Sequence, residues 1–353
     1  MKTHLFGETL EDLKKRVQIK GFPSFTATQI ADWLYKKKVS SIDEMTNLSK
    51  KTREELKKEC DVGLIPPQTV QTSVDGTKKY LFPTHKNEYI ETAMIPFKER
   101  KTVCLSSQVG CKWGCRFCVT GEQGFQSQLS ANEILNQFRM LPEQDSITNL
   151  VYMGMGEPFD NLDEVLKSID VLTSDWGYAL SPRRITVSSI GLQPERLESF
   201  LAACEAHLAI SLHSPFLEER KQLMPVEATY SFEDTLQILR KYNWHGQRRI
   251  SFEYIVFGHL NDTPKHAEKL IQLLKGIPCR INLIRFHPGK DKTLQATNET
   301  ALQRFKEHLN AGGILTTIRA SRGLDIDAAC GLLSSRNNPS KPTDYDRDDD
   351  EES

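Results

Sequence analysis

Three cysteines crowd into eight residues, at Cys111, Cys115 and Cys118, in the spacing C-x3-C-x2-C. Three thiolates from one short loop can each take one iron of a 4Fe–4S cubane, which leaves the fourth iron without a protein ligand. An open iron can chelate the amino and carboxylate groups of S-adenosylmethionine. An electron passed into the bound sulfonium then breaks a carbon–sulfur bond and yields a 5′-deoxyadenosyl radical. The protein's part is to hold the reactants together and keep water out. The competing reading is zinc, which normally takes four protein ligands, often as two close pairs. A short Cys/His pair recurs only at Cys204 and His207, in a helix-like run ahead of a strand. An unequally spaced triad with an open fourth position makes zinc the minority reading.

The elements that must position this loop come from an alternating pattern. Strands are expected at Thr102–Ser106, Asn149–Met153, Arg184–Ser188, Leu208–Leu212, Ile250–Val256, Ile281–Phe286 and Ile314–Ile318. Helical periodicity separates them at Ala131–Met140, Leu162–Leu172, Phe232–Tyr242, His266–Leu274 and Glu299–Leu309. Such alternation predicts an α/β fold with a parallel sheet, and the count suits an open or partial (β/α) barrel, whose chemistry belongs in the loops after the strands. Residues 1–88 read as a small, mainly helical accessory domain. Ile30, Trp33 and Leu34 fall at helical spacing, and Ser49 can cap a charged helix to Cys60. Pro66-Pro67 and the Asp75-Gly76 turn mark its exit. Residues 89–336 form the catalytic body, and 337–353 an acidic tail expected to be disordered.

Charge divides along the same lines. The net charge of −1 conceals a tail, Thr343–Ser353, with seven acids and one arginine. Residues 1–88 hold sixteen Lys/Arg against twelve Asp/Glu. A basic appendage suits a polyanion such as RNA, with a solvated lysine-rich helical face as the equal alternative. No run of 18 apolar residues is present, so no membrane span is expected. The N-terminus has no apolar signal region, so the cytoplasm is the expected compartment. In a reducing compartment the eight cysteines point to metal or redox chemistry rather than a disulfide scaffold. Nothing points to oligomerisation, and a monomer is expected.

The motifs around the triad carry a resemblance. Ser106–Cys111 (SSQVGC) leads in and Thr120–Phe125 (TGEQGF) leads out. Met153–Pro158 (MGMGEP), Ser211–Ser214 (SLHS) and Asp325–Gly331 (DIDAACG) follow in order, and Phe25–Ile30 (FTATQI) lies upstream. Together these resemble the RlmN/Cfr family of radical S-adenosylmethionine RNA methyltransferases, over nearly the whole chain except its tail.

The resemblance implies a radical-type partial barrel holding one 4Fe–4S cluster on Cys111, Cys115 and Cys118, and two molecules of S-adenosylmethionine per turnover. Carbon 2 of adenine is an sp2 carbon without nucleophilic character, so ordinary methyl transfer fails there. The family pattern makes Cys330 the residue that is first methylated and then carries a radical to the base. Cys104 is the resolving cysteine, which frees the RNA–protein crosslink through a transient disulfide with Cys330. Glu91 is the proton acceptor. Contacts to S-adenosylmethionine map by position to Gly156, Glu157, Ser188, Ser211, Leu212, His213 and His287. At the last position the family usually has asparagine. Gln126-Ser127-Gln128 and Ser188–Gly191 (SSIG) also depart from the family pattern. The implied substrates are an adenosine of 23S rRNA at the peptidyl-transferase centre and one in tRNA beside the anticodon, with a flavodoxin or ferredoxin as electron donor. Methylation at carbon 8, as in the Cfr branch, is the nearest alternative. An RNA-binding iron–sulfur redox sensor is a more distant one. Cys60, Cys204 and Cys279 match no motif and read as structural.

Overall fold

Each hydrophobic run predicted as a strand pairs with the run before it. In the computed structural model, which describes residues 2–191, 193–244, 248–287, 293–329 and 331–334, ten strands form one sheet in chain order. Seven are parallel: Arg100–Cys104, Asn149–Tyr152, Ile185–Ser189, His207–Ser211, Ile250–Val256, Cys279–Arg285 and Leu315–Ile318. Parallel neighbours need a crossover. Helices Ala131–Arg139, Leu162–Thr173, Pro194–Ala203, Phe232–Lys241, Pro264–Leu273 and Glu299–Ala311 supply one for each successive pair.

The two faces of the sheet differ in chemistry because side chains alternate along a strand. Val103, Leu150, Val187, Leu208, Phe252, Ile281 and Leu283 are no more than 1% exposed. Thr102, Thr186, Ser251, Asn282 and Thr317, each in register to face the other way, line a cavity of about 700 Å³ together with Cys104. A flat sheet cannot bring its first and seventh parallel strands to one cavity. The sheet is therefore curled into a partial barrel, as the alternation predicts, and its lumen mixes these polar groups with apolar ones such as Ile95, Val151, Met153 and Ile284.

Three antiparallel strands, Thr69–Thr72, Lys78–Pro83 and Tyr89–Phe97, extend the sheet beyond Arg100–Cys104. Two of them precede residue 88, in a stretch read as mainly helical. The Asp75-Gly76 turn is the tip of a hairpin, closed by Ser73 N–H to Thr77 O at 2.8 Å. The apolar run Tyr80-Leu81-Phe82 is buried on the sheet. The helices expected upstream do form. Thr9 and Asp12 make a capping box for Leu10–Ile19, and Ser49 accepts from Thr52 N–H at the start of Lys50–Glu59. Thr26–Ala31 continues as a π-helical turn, Asp32–Lys36. This unit docks on the barrel helix Ala131–Arg139, where the Asn132 amide donates to the carbonyls of Phe6 (2.9 Å) and Gly63 (3.1 Å). No helix among the described residues is long and apolar enough to cross a membrane. The expected tail, 337–353, lies outside the described residues.

Candidate functional site

The cysteine loop follows the first parallel strand and is closed at its base by a short antiparallel ladder, Gln108–Gly110 with Phe125–Gln128. Gly110 has φ +74°, and a Cβ there would sit 1.8 Å from the Gly124 carbonyl oxygen. That oxygen also accepts from Cys111 N–H at 3.1 Å. Cys115 is buried, and Cys111 and Cys118 are half-buried. Burial pushes the Cys111 thiol up to about 12. Burial, then the neighbouring Cys118 and Cys111, holds Cys115 well above the usual thiol range, while the Arg220 guanidinium acts in the opposite sense. Cys118 is raised by burial as well. Burial therefore opposes the free thiolates, and a bound metal would have to displace these protons, since the thiolate is the ligand. No three His, Cys, Asp or Glu side chains among the described residues meet at a single-ion site. Three thiols on one short loop are the donor set a cubane takes, one thiolate to each of three irons.

The MGMGEP motif is fastened to the SSQVGC motif by hydrogen bonds. Gly154 N–H donates to Leu105 O (3.0 Å), Met155 N–H to Ser106 Oγ (2.9 Å) and Glu157 N–H to Gln108 Oε1 (2.7 Å). Gly156 has φ +93°, and a Cβ there would meet the Gln108 side chain at 2.4 Å, so close loop packing requires this glycine. The Glu157 carboxyl is 3% exposed. It accepts from Phe159 N–H at 2.9 Å and Ile190 N–H at 3.0 Å, joining the loops after the second and third parallel strands. Burial outweighs these bonds and pushes Glu157 up to about 7. A carboxylate offers about four acceptor positions, so capacity remains for a ligand ammonium.

The remaining predicted contacts stand on later strand ends. Ser188 is half-buried on the third strand, and Leu212 is fully buried. His213 is 3% exposed with a left-handed φ of +56°. Its Nδ1 accepts from Ile255 N–H at 3.0 Å, which leaves the ring proton on Nε2. Burial, then Arg220, brings this ring down to about 3. Phe117 of the cysteine loop packs edge-on against it, with centroids 4.6 Å apart. His287 meets Ser321 Oγ at 2.6 Å and lines the cavity. Gly156, Glu157, Ser188, Ser211, Leu212 and His213 do not line that cavity and lie in or beside the loops at the carboxyl ends of their strands.

Arg220, which the sequence did not single out, holds these loops together. It is 2% exposed and donates to Ser211 O (2.8 Å), Leu212 O (2.8 Å) and Ile190 O (2.7 Å), while pairing with Glu227 at 2.5 Å. Arg220→Met would leave Glu227 as an uncompensated buried charge. We expect a loss of about 3–5 kcal/mol, read by chemical denaturation. A loss under about 1 kcal/mol would show that the network contributes little.

The stretch around Cys330 is held on both sides. Upstream, Asp325 accepts from Ser73 Oγ (2.6 Å) and Val74 N–H (3.1 Å), and Gly323 N–H donates to Asp75 Oδ2 (2.9 Å). Downstream, Gly331 O accepts from Val119 N–H (2.8 Å), Leu333 O from Thr120 Oγ1 (2.7 Å), and Ser334 N–H donates to Glu91 Oε2 (2.7 Å). Val119 and Thr120 directly follow Cys118. Ala328 and Ala329 share the cavity wall with Cys104, which is 6% exposed. Glu91 is 1% exposed, pairs with buried Lys79 at 3.1 Å and does not line the cavity. Cys330 itself lies outside the described residues. Besides Arg220, the sequence missed Lys79 and the cavity's Glu253, which pairs with Arg319 at 3.1 Å. A lysine in a Lys-Lys pair at the start of a strand, or a glutamate amid Phe252 and Tyr254, carries no local signal.

Two family models match the chain: the radical SAM superfamily over residues 105–274 and the ribosomal RNA large subunit methyltransferase N-terminal domain over residues 3–62. The chain is 52% identical over 330 residues to a probable dual-specificity RNA methyltransferase RlmN of Bacteroides thetaiotaomicron, covering 94% of this chain and 95% of that protein. It is 40% identical to the dual-specificity RNA methyltransferase RlmN of a Sulfurovum species, over 92% and 94% of the two chains. A solved radical SAM methyltransferase from Sphaerobacter thermophilus superposes with a TM-score of 0.87 at 35% identity, over 94% of this chain and 99% of that one.

Proposed function

This chain belongs to the RlmN family of radical S-adenosylmethionine RNA methyltransferases, and from that membership we propose that it methylates carbon 2 of adenosine in both 23S rRNA and tRNA. In rRNA the target lies at the peptidyl-transferase centre, and in tRNA beside the anticodon. The observation that carries the reading is the tethering of the Cys330 segment. Its flanks run from the Cys104 cavity to the end of the cysteine loop and on to Glu91.

Membership implies S-adenosylmethionine and a 4Fe–4S cluster. Cys111, Cys115 and Cys118 would hold one cluster. Gly156, Glu157, Ser188, Ser211, Leu212, His213 and His287 would hold the S-adenosylmethionine, two molecules being consumed per turnover. When bound, this pair supplies the electron and the 5′-deoxyadenosyl radical. Cys330 carries the methyl group as a thioether and delivers its carbon to the base. Cys104 attacks the Cys330 sulfur and releases the RNA, forming a disulfide. Glu91, kept beside the Lys79 ammonium, takes the proton from carbon 2. The basic N-terminal unit binds RNA, a flavodoxin or ferredoxin donates electrons, and the chain acts as a cytoplasmic monomer.

Anaerobic turnover with labelled S-adenosylmethionine and total RNA, followed by nuclease digestion and mass spectrometry, tests this. Label at carbon 2 of adenosine is expected, and label only at carbon 8 overturns the assignment. A Cys104→Ala variant is expected to accumulate a covalent RNA–protein adduct, visible as a shifted band on denaturing gels. Unlinked protein after turnover would remove Cys104 from the resolving role.

A further inference from the structure

The lumen carries an unbalanced charge. Seven arginines and a single carboxylate, Glu253, line the cavity. Towards the carboxyl ends of the strands the arginines are matched: Arg319 pairs with Glu253 at 3.1 Å and Arg285 with Glu299 at 3.0 Å. Four other arginines gather at the amino ends. Arg100 opens the first parallel strand, Arg183 precedes the third, Arg249 immediately precedes the fifth, and Arg280 is the second residue of the sixth. His207 opens the fourth, and its Nδ1 accepts from Arg249 N–H at 3.0 Å. Among the described residues no carboxylate pairs with Arg100, Arg249 or Arg280. Arg100, Arg183 and Arg249 are exposed to solvent and Arg280 is half-buried.

Arg100, Arg183, His207, Arg249 and Arg280 line the same cavity. His207 is brought below the usual histidine range by burial and then by the guanidiniums of Arg249, Arg280, Arg248 and Arg183. Gathering like charges at a concave opening costs energy unless a polyanion neutralises them, and such an opening focuses its field outward. The guanidinium fork matches phosphate oxygens.

We propose that the amino-end mouth of the barrel, ringed by Arg100, Arg183, Arg249 and Arg280, is a docking surface for the sugar–phosphate chain of single-stranded RNA. The proposal rests on the RNA methyltransferase reading and adds where the backbone is held. From Arg100 to Cys104 the strand climbs four residues, roughly 13 Å at the usual rise. That is comparable to the reach of a nucleotide from its phosphate to the far edge of its base. An unpaired base can therefore point up the lumen while its flanking phosphates stay on the mouth. RNA recognition commonly uses such splayed, single-stranded bases.

The test is the binding of the cluster-loaded protein to a fluorescent RNA hairpin with an unpaired adenosine in its loop, followed by anisotropy across salt concentrations. Each phosphate contact on a single strand contributes about 0.7 to the slope of log affinity against log salt. The double variant Arg249→Gln/Arg280→Gln is expected to lower that slope by about 1.4 and to weaken binding by about tenfold or more at moderate salt. Lys241→Gln, an equal loss of charge at an exposed helix end, is expected to leave the slope unchanged. Iron content and melting temperature matching wild type establish that the double variant is folded. An unchanged slope in a folded double variant, with wild type binding and methylating the hairpin, overturns the docking surface alone. Loss of electron transfer from reduced flavodoxin with an unchanged RNA slope overturns it likewise, by assigning the mouth to an acidic protein. Wild type that neither binds nor methylates RNA overturns both this surface and the functional reading beneath it.

Discussion

Cys115→Ala is expected to strip the protein of its iron and abolish production of 5′-deoxyadenosine. Of the three triad cysteines, Cys115 is the most deeply buried. Its thiol lies within electrostatic reach of Cys111, Cys118 and Arg220. Removing one of three ligands leaves an iron without its anchor, and a cubane does not persist on two thiolates. Iron analysis of anaerobically reconstituted protein reads the effect: about four irons per chain in wild type, close to none in the variant. The loop base is made by the Gln108–Gly110 and Phe125–Gln128 ladder, so the fold is expected to survive, at a cost of about 1 kcal/mol for the lost side-chain contacts. Cys60→Ala is the control. That thiol is buried in the N-terminal unit, within 3.4 Å of Thr3 Oγ1, and the variant should keep its iron. A Cys115→Ala protein that holds a complete cluster and still cleaves S-adenosylmethionine would overturn the ligand assignment.

The second large effect is a pH dependence set by Glu157. Burial holds this carboxyl at about 7, above the ordinary glutamate value near 4.3. Below about 7 it is neutral, and a neutral carboxyl cannot pair with the ammonium of S-adenosylmethionine. Affinity is therefore expected to fall about tenfold for each pH unit below 7 and to level off above it. The protein without ligand shows the opposite trend. A carboxyl with a raised folded pKa binds its proton more tightly when folded, so stability is highest below the unfolded pKa. It declines by roughly 3 kcal/mol as the pH rises from about 4.5 to 7. Glu157→Gln should flatten both curves and weaken binding at pH 8 by about a hundredfold, because a charged hydrogen bond is lost. Calorimetric titration of cluster-loaded protein across pH 5.5–8.5 measures the first trend. A flat wild-type profile would detach Glu157 from the ligand.

Much of this site could be read from spacing alone. Cys111, Cys115 and Cys118 are neighbours in sequence, so a short loop brings them together whatever the rest of the chain does. The strand pattern was legible for a similar reason: Val103, Leu150, Phe252 and Ile281 face the helices and mark each strand with apolar residues. Limits shifted where a side chain competes with the sheet. Thr102–Ser106 ends instead at Cys104, since Ser106 N–H goes to Gln137 Oε1 at 2.8 Å rather than to a strand. The helix Pro194–Ala203 was missed because Leu197, Phe200 and Leu201 are its only deeply buried apolar residues. Arg220, Lys79 and Glu253 escaped for a deeper reason. Their partners lie on other elements, and a buried charge looks like a surface charge until the fold supplies its counterion. The hairpin at Asp75-Gly76 was seen as a turn but not as an anchor, because Gly323 and Asp325 reach it from the far end of the chain.

Because spatial order in the sheet repeats chain order, each strand finds its neighbour already made as synthesis proceeds. The cysteine loop is complete once residue 128 has emerged, whereas the stretch that tethers to its end, 331–334, follows roughly 200 residues later, on the order of 10–40 s at ordinary rates of translation. A cluster delivered to these cysteines would thus have a window during birth of the chain, before the last segment meets the loop.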